Sequence, residues 1–284
     1  MLTILFDGVA YGMLLFVLAC GLAVTLGLMN FVNLAHGAFA MTGGYVTTVL
    51  LNDWHVPFLM ALPIAFLATA MLGLLLERTL YVRLYTCGHL DQVLFSIGIV
   101  FMSVAAVTYF MGSQQQSFQL PAFLQGRFEL ELLSVGRYRA LVVAMGVAIL
   151  IILQVILMKT SFGSRLRAAV DDRRVARGLG ISVGPIFSLT FAIGSGLAGL
   201  GGALGVEIVG LDPNFPLKFM IYFLIVVTVG GTSGLIGPFL ASLLLGIADV
   251  AGKYYLPDTG SFAIYTLMIV VLLMRPQGLL SKAQ

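Results

Sequence analysis

Apolar residues run through this chain in blocks of up to about twenty, the length a helix needs to cross a hydrocarbon core, with short polar stretches between them. In order, the blocks are Val9 to Met29, Asn30 to Leu51, Pro57 to Tyr81, Val93 to Met111, Ala140 to Met158, Pro185 to Val206, Phe219 to Val229, Phe239 to Val250 and Phe262 to Met274. The second opens on a polar cluster, MNFVNLAHGAF. Gly230, Gly231, Gly234 and Gly237 split the seventh from the eighth, so these segments read as re-entrant or broken helices. The pattern predicts an all-α polytopic transmembrane bundle of eight to nine hydrophobic segments, forming one domain over residues 1–284.

Two interruptions depart from simple punctuation. Between Gly112 and Arg139 lies a long connection whose RFELEL stretch alternates in polarity, which predicts a small strand or hairpin outside the bilayer. Between Lys159 and Ile181 the chain turns polar yet keeps a helical rhythm. Leu166, Ala169, Val170, the stem of Arg173, Ala176 and Leu179 recur near helical spacing, and Gly163 and Gly180 bound the run.

Composition agrees with the pattern. At 60% hydrophobic and 10% charged residues, the chain has too little polar surface to coat a soluble globule. The start, MLTILFDG, lacks a basic region and a small-residue cleavage site, so the first run is expected to be a retained span. Cys20 and Cys87 are expected to be packing residues rather than a disulfide.

Charge adds the orientation. Lys159, Arg165, Arg167, Arg173, Arg174 and Arg177 against Asp171 and Asp172 give the 159–181 segment a net +4. At about 2.5 to 3.5 kcal/mol for each charge at bilayer depth, the segment must lie in water. Placing it in the cytoplasm puts ten of the fifteen Lys and Arg inside, Arg78, Arg83, Arg275 and Lys282 among them. Arg127, Arg137, Arg139, Lys218 and Lys253 then lie outside with most of the acids, including Asp7, Glu131, Glu207 and Asp212. Nine crossings with the N-terminus outside and the C-terminus inside satisfy the positive-inside rule. The net charge of +3 thus reports topology and no nucleic-acid partner.

Candidate chemistry is sparse. Asn30, Asn33 and His36 fall three apart and would share one helix face, with Gly37 as a possible break; they read either as a solute pathway or as interhelical hydrogen bonds. One histidine and two amides make a poor metal site. Asp249, near the end of an apolar run, reads either as a pathway residue or as an interfacial charge at the outer rim, with the rim favoured. The string Gly231, Thr232, Ser233, Gly234 matches a rhomboid-like protease signature only weakly, since His36, His55 and His89 all precede Ser233. The basic helix reads either as a headgroup anchor or as a docking helix whose Ala168 and Ala169 allow close approach.

Thr160, Phe162, Gly163, Arg167, Ala168, Asp171, Val175–Ala176 and Gly180–Ile181 follow a pattern that resembles the cytoplasmic coupling segment of ABC importer permeases. With MNFVNLAHGAF, GLAGLGGALG, GGTSGLIGP and MRPQGLL in family order, the chain from Val9 to Leu280 resembles the inner-membrane permeases of the branched-chain amino acid (Liv-type) uptake family. The acidic position of the pattern fits Asp171 or Asp172.

The resemblance implies a bacterial inner-membrane transport subunit, not an enzyme, working with a second permease (usually a related but different chain), two cytoplasmic ATPases and an external solute-binding protein. It further implies that Gly163, Arg167, Ala168, Asp171, Asp172, Ala176 and Gly180 couple to an ATPase. ATP and Mg would sit on the partner subunits, because this chain has no GxxxxGK[ST]. A branched-chain amino acid is the first expectation for the solute, with urea, short amides and small aromatic acids as alternatives. An ion-coupled secondary transporter or channel is the competing function.

Overall fold

The computed structural model describes the chain except residues 30, 32, 86, 131–132, 232–233 and 281–284. Its helices are α1 (Leu2–Met29), α2 (His36–Asn52), α3 (Phe58–Thr79), α4 (His89–Met111), α5 (Arg137–Lys159), α6 (Ser161–Asp171), α7 (Arg173–Gly178), α8 (Val183–Val209), α9 (Phe215–Gly230), α10 (Ile236–Tyr255) and α11 (Ala263–Met274). The strands β1 (Arg127–Leu130) and β2 (Leu133–Gly136) pair antiparallel, Phe128 opposite Val135, as the alternation at RFELEL predicts. Glu131 lies outside the described residues.

Among the described residues, six of the nine expected runs form helices long and apolar enough to cross a membrane: α1, α3, α4, α5, α8 and α10. The other three are shorter for visible reasons. Residues 31 and 33–35 of the second run are non-helical, so α2 starts at His36 and has 17 residues. α9 is closed after 16 residues by Gly231, whose φ of 85° is left-handed. A 3-10 turn at Gly260–Phe262 delays the start of α11. In contrast, α1 begins at Leu2 rather than Val9, carrying Asp7 into the helix, where it pairs with Arg139 of α5.

The bundle is organised around α1 and α8. In α1, 89% of the apolar span is buried and in α8, 72%, against 11% in α4, so the outer helices give their apolar surface to lipid. Met71 and Leu75 of α3, Phe101 and Phe110 of α4, and Ile151 and Ile152 of α5 all point outward. Helices in a bilayer gain little from hydrophobicity alone and must pack closely instead. The glycines of α8 allow this: a Cβ at Gly202 would stand 1.8 Å from the carbonyl oxygen of Ala40 in α2.

Two ends can be told apart. At one, the α1 and α5 N-termini meet through Asp7 and Arg139, and Gln116 of the long connection donates its N–H to Leu211 O (2.8 Å), just beyond α8. At the other lie α6 and α7, and there the Leu279 N–H donates to Val229 O at the end of α9 (2.8 Å). Cys20 is buried, as a packing residue should be. Cys87 is exposed, because it falls in the connection before α4 rather than in a helix interface.

Candidate functional site

The charged segment forms two helices, where one from Gly163 to Gly180 was expected. Thr160 caps α6, its Oγ1 accepting from Gly163 N at 3.2 Å. Asp172 ends that helix and caps the next, its Oδ1 accepting from Arg174 N (2.7 Å) and Val175 N (3.0 Å). A side chain that binds its own downstream backbone competes with continued helix, and here it wins. Gly180, with φ 80°, closes the run. Replacing Asp172 by Ala is expected to cost α7 about 0.5 to 2 kcal/mol, measurable as faster amide exchange at Arg174 and Val175.

The break at Asp172 rotates the apolar stripe, so the segment does not face the way a single helix would. Gly163 is buried, and a Cβ there would lie 2.2 Å from Leu157 O at the end of α5. The Arg167 guanidinium donates to that same carbonyl, and Ala169 and Ala176 are buried against the bundle. These residues therefore fasten the segment to its own chain, which removes Ala169 as a docking surface. Asp171 and Gly180 are exposed and Ala168 is half-buried. Leu179, expected on the inward stripe, is 75% exposed, and Val175 is exposed beside it.

Arg173 links α7 to α1, to α8 and to the connection between α3 and α4. Its Nη2 donates to Met29 O at the end of α1 (3.2 Å), and its guanidinium lies over the rings of Phe187 in α8 (4.8 Å) and Tyr85 (5.8 Å). Tyr85 Oη donates to Glu77 Oε1 (2.9 Å), and Ser188 Oγ donates to Glu77 Oε2 (2.5 Å). Burial first, and then the Glu77 carboxylate, push the Tyr85 phenol well up, so it stays protonated and donating. Glu77 is only 2% exposed. Glu77 is a functional-looking residue that the run pattern passes over; a lone acid in the last turn of an apolar helix is the signal in the sequence that it is held inside.

The polar cluster near the N-terminus lies in a break, not on one helix face. Residues 31, 33, 34 and 35 are non-helical, α2 starts at His36, and the chain therefore breaks before Gly37 rather than at it. Asn30 lies outside the described residues. Asn33 Oδ1 accepts from Tyr81 Oη (3.2 Å) and Ala35 N (3.1 Å). His36 Nε2 donates to Leu18 O in α1 (2.8 Å), and its ring meets Phe223 of α9 edge-on at 5.9 Å. Gly37 is packed against Pro216, where a Cβ would come within 2.9 Å of the backbone. All three are buried and join α2 to α1, α9 and the turn after α3. Tyr81→Phe is expected to cost about 0.5 to 1.5 kcal/mol of stability, read as a lower unfolding temperature in detergent.

Asp249 departs from the rim position favoured for it. It is 2% exposed and pairs with Lys253 (2.6 Å) inside a cavity, because its helix turns that face toward α1 rather than toward the rim. Among the described residues, no three His, Cys, Asp or Glu come together as metal ligands. Thr232, Ser233 and Lys282 lie outside the described residues.

Residues 4–272 match the family model described as "Branched-chain amino acid transport system / permease component". The high-affinity branched-chain amino acid transport system permease protein BraD of Pseudomonas aeruginosa is 25% identical over 99% of this chain and 95% of its own length. The probable branched-chain amino acid transport permease protein LivH of Methanocaldococcus jannaschii is 28% identical, covering 97% and 91%. LivM of Salmonella typhimurium, another such permease, is 25% identical over 94% of this chain and 68% of its own length. No solved structure matches.

Proposed function

Because the chain belongs to the family of branched-chain amino acid transport system permease components, we propose that it is the membrane subunit of an ATP-driven importer of branched-chain amino acids. ATP and Mg are held by two cytoplasmic ATPase subunits, and an external binding protein delivers the solute. Similarity to both LivH and LivM relatives supports pairing with a related second permease. In this reading the chain crosses the inner membrane nine times, with the N-terminus outside and α6 and α7 in the cytoplasm.

One observation carries the proposal. The segment at residues 159–181 is fixed by one face to the bundle, through Gly163, Arg167, Ala176 and Arg173, while Val175 on the charged helix α7 and Leu179 just beyond it stand exposed. A headgroup anchor needs no such rigid attachment to α1 and α8. A lever does, since movement of an ATPase against Val175 and Leu179 passes through Arg173 into the α1 and α8 core as a rigid-body shift.

The test is uptake of radiolabelled leucine by vesicles containing the complete transporter. Uptake is expected to stop when ATP is removed with the ion gradient kept, and Val175→Asp with Leu179→Asp should reduce it roughly tenfold or more, as loss of a central apolar contact does. Uptake that persists without ATP and follows the ion gradient would instead establish a secondary transporter.

A further inference from the structure

The end of the bundle opposite α6 and α7 holds a cavity of about 620 Å³, within the range of small-molecule sites. It opens among the N-terminal parts of α1, α5, α9 and α11 and the C-terminal parts of α8 and α10. We infer that this cavity is a binding site for the zwitterionic head of an amino acid, with Asp249 receiving the ammonium group and Arg139 and Lys218 the carboxylate. The inference rests on the importer reading above.

Asp249 is the reason. Its side chain is 3% exposed, and Oδ2 holds Lys253 Nζ at 2.6 Å. Its Oδ1, buried as well, has no hydrogen-bond partner. A buried carboxylate oxygen left unpaired is costly, and an incoming ammonium would pair it with a charge-assisted hydrogen bond.

The rest of the lining suits the other half of such a ligand. Arg139 and Lys218 each pair with one carboxylate, Asp7 and Asp212, yet remain 43% and 58% exposed with donors to spare. Counting Asp212, which Lys218 holds, the three cations (Arg139, Lys218, Lys253) are matched by three carboxylates (Asp7, Asp212, Asp249), and a site without net charge suits a ligand without net charge. Ile208, Val209, Val250 and Phe219 supply an apolar wall for a branched side chain. A zwitterion with an aliphatic side chain satisfies all three features together.

The test is equilibrium binding of radiolabelled leucine to the purified transporter complex without the solute-binding protein. Competitors are 4-methylpentanoate, which lacks the ammonium, and 3-methylbutylamine, which lacks the carboxylate. In the wild type, unlabelled leucine should displace the label and neither half-analogue should do so at the same concentration. Asp249→Asn should weaken leucine binding roughly tenfold, the size of one charged hydrogen bond, and bring leucine and 4-methylpentanoate to comparable affinity. Val250→Trp, which fills the cavity without touching the ion pairs, should abolish binding and serves if Asp249→Asn does not assemble. Unchanged leucine binding in either assembled variant overturns the assignment, even where wild-type vesicles show ATP-driven leucine uptake. Absence of that uptake in the wild type removes the importer reading, and this site with it.

Discussion

Gly202→Val is expected to prevent the bundle from forming, with little or no monodisperse protein recovered in detergent. A Cβ at Gly202 would already stand 1.8 Å from Ala40 O and 2.5 Å from Ala40 C. Those are backbone atoms of α2, so relief requires moving a whole helix rather than a rotamer. One turn away, Gly199 meets Thr69 of α3, and Gly43 of α2 meets Gly199, so α8 cannot retreat from one neighbour without striking the other. Overpacking an ordinary core costs about 1 to 3 kcal/mol, and here two extra carbons beyond Cβ must also be placed. The control is Gly98→Val in α4, where nothing lies within 4 Å and the residue is exposed. That variant should elute and unfold as the wild type does. Size-exclusion profiles and thermal unfolding of the two proteins check the expectation.

Arg173→Ala is expected to separate ATP hydrolysis from transport. The change removes a charged hydrogen bond to Met29 O and the stacking on Phe187 and Tyr85, contacts worth about 1.5 to 3 kcal/mol and about 0.5 to 2 kcal/mol respectively. It also exposes the Tyr85–Glu77–Ser188 hydrogen bonds at the junction of α3 and α8. The helices α6 and α7 remain capped by Thr160 and Asp172, so a partner could still dock, but the docked helix would no longer pull on α1 and α8. ATPase activity should be retained while leucine uptake falls roughly tenfold, the loss of about one charged contact. Arg174→Ala, an exposed neighbour on the same helix, should change neither. Parallel hydrolysis and uptake assays on one reconstituted preparation provide the comparison.

Much of the architecture was legible because lipid imposes a simple rule. Runs of about twenty apolar residues must become helices, since no other element satisfies its backbone in hydrocarbon. Hence α3, α4 and α5 lie close to where the pattern put them. The alternation at RFELEL marked the β1–β2 hairpin for the opposite reason, its period of two being foreign to the helices around it.

What the pattern could not convey was the direction in which each polar side chain turns. Asp249 sits near the end of an apolar run, and its position there suits a rim or a cavity equally; only the packing of α10 on α1 decides. Glu77 is a similar case, its burial set by Ser188, 111 residues away. The split at Asp172 was missed because helical spacing on either side continues almost in phase, while the cap depends on one local hydrogen-bond choice. Asn33 and His36 are polar groups inside the bundle, as their place in the apolar run implies, but their shared face assumed a helix, and residues 31 and 33–35 are non-helical.

The lever role depends on what touches Val175 and Leu179 in the assembled transporter. A photocrosslinking side chain at Leu179, activated in membranes containing all subunits, should yield one dominant adduct with the nucleotide-hydrolysing subunit, and that adduct should weaken or shift when ATP is bound. Crosslinks only to lipid, or to a protein on the external face, would contradict it.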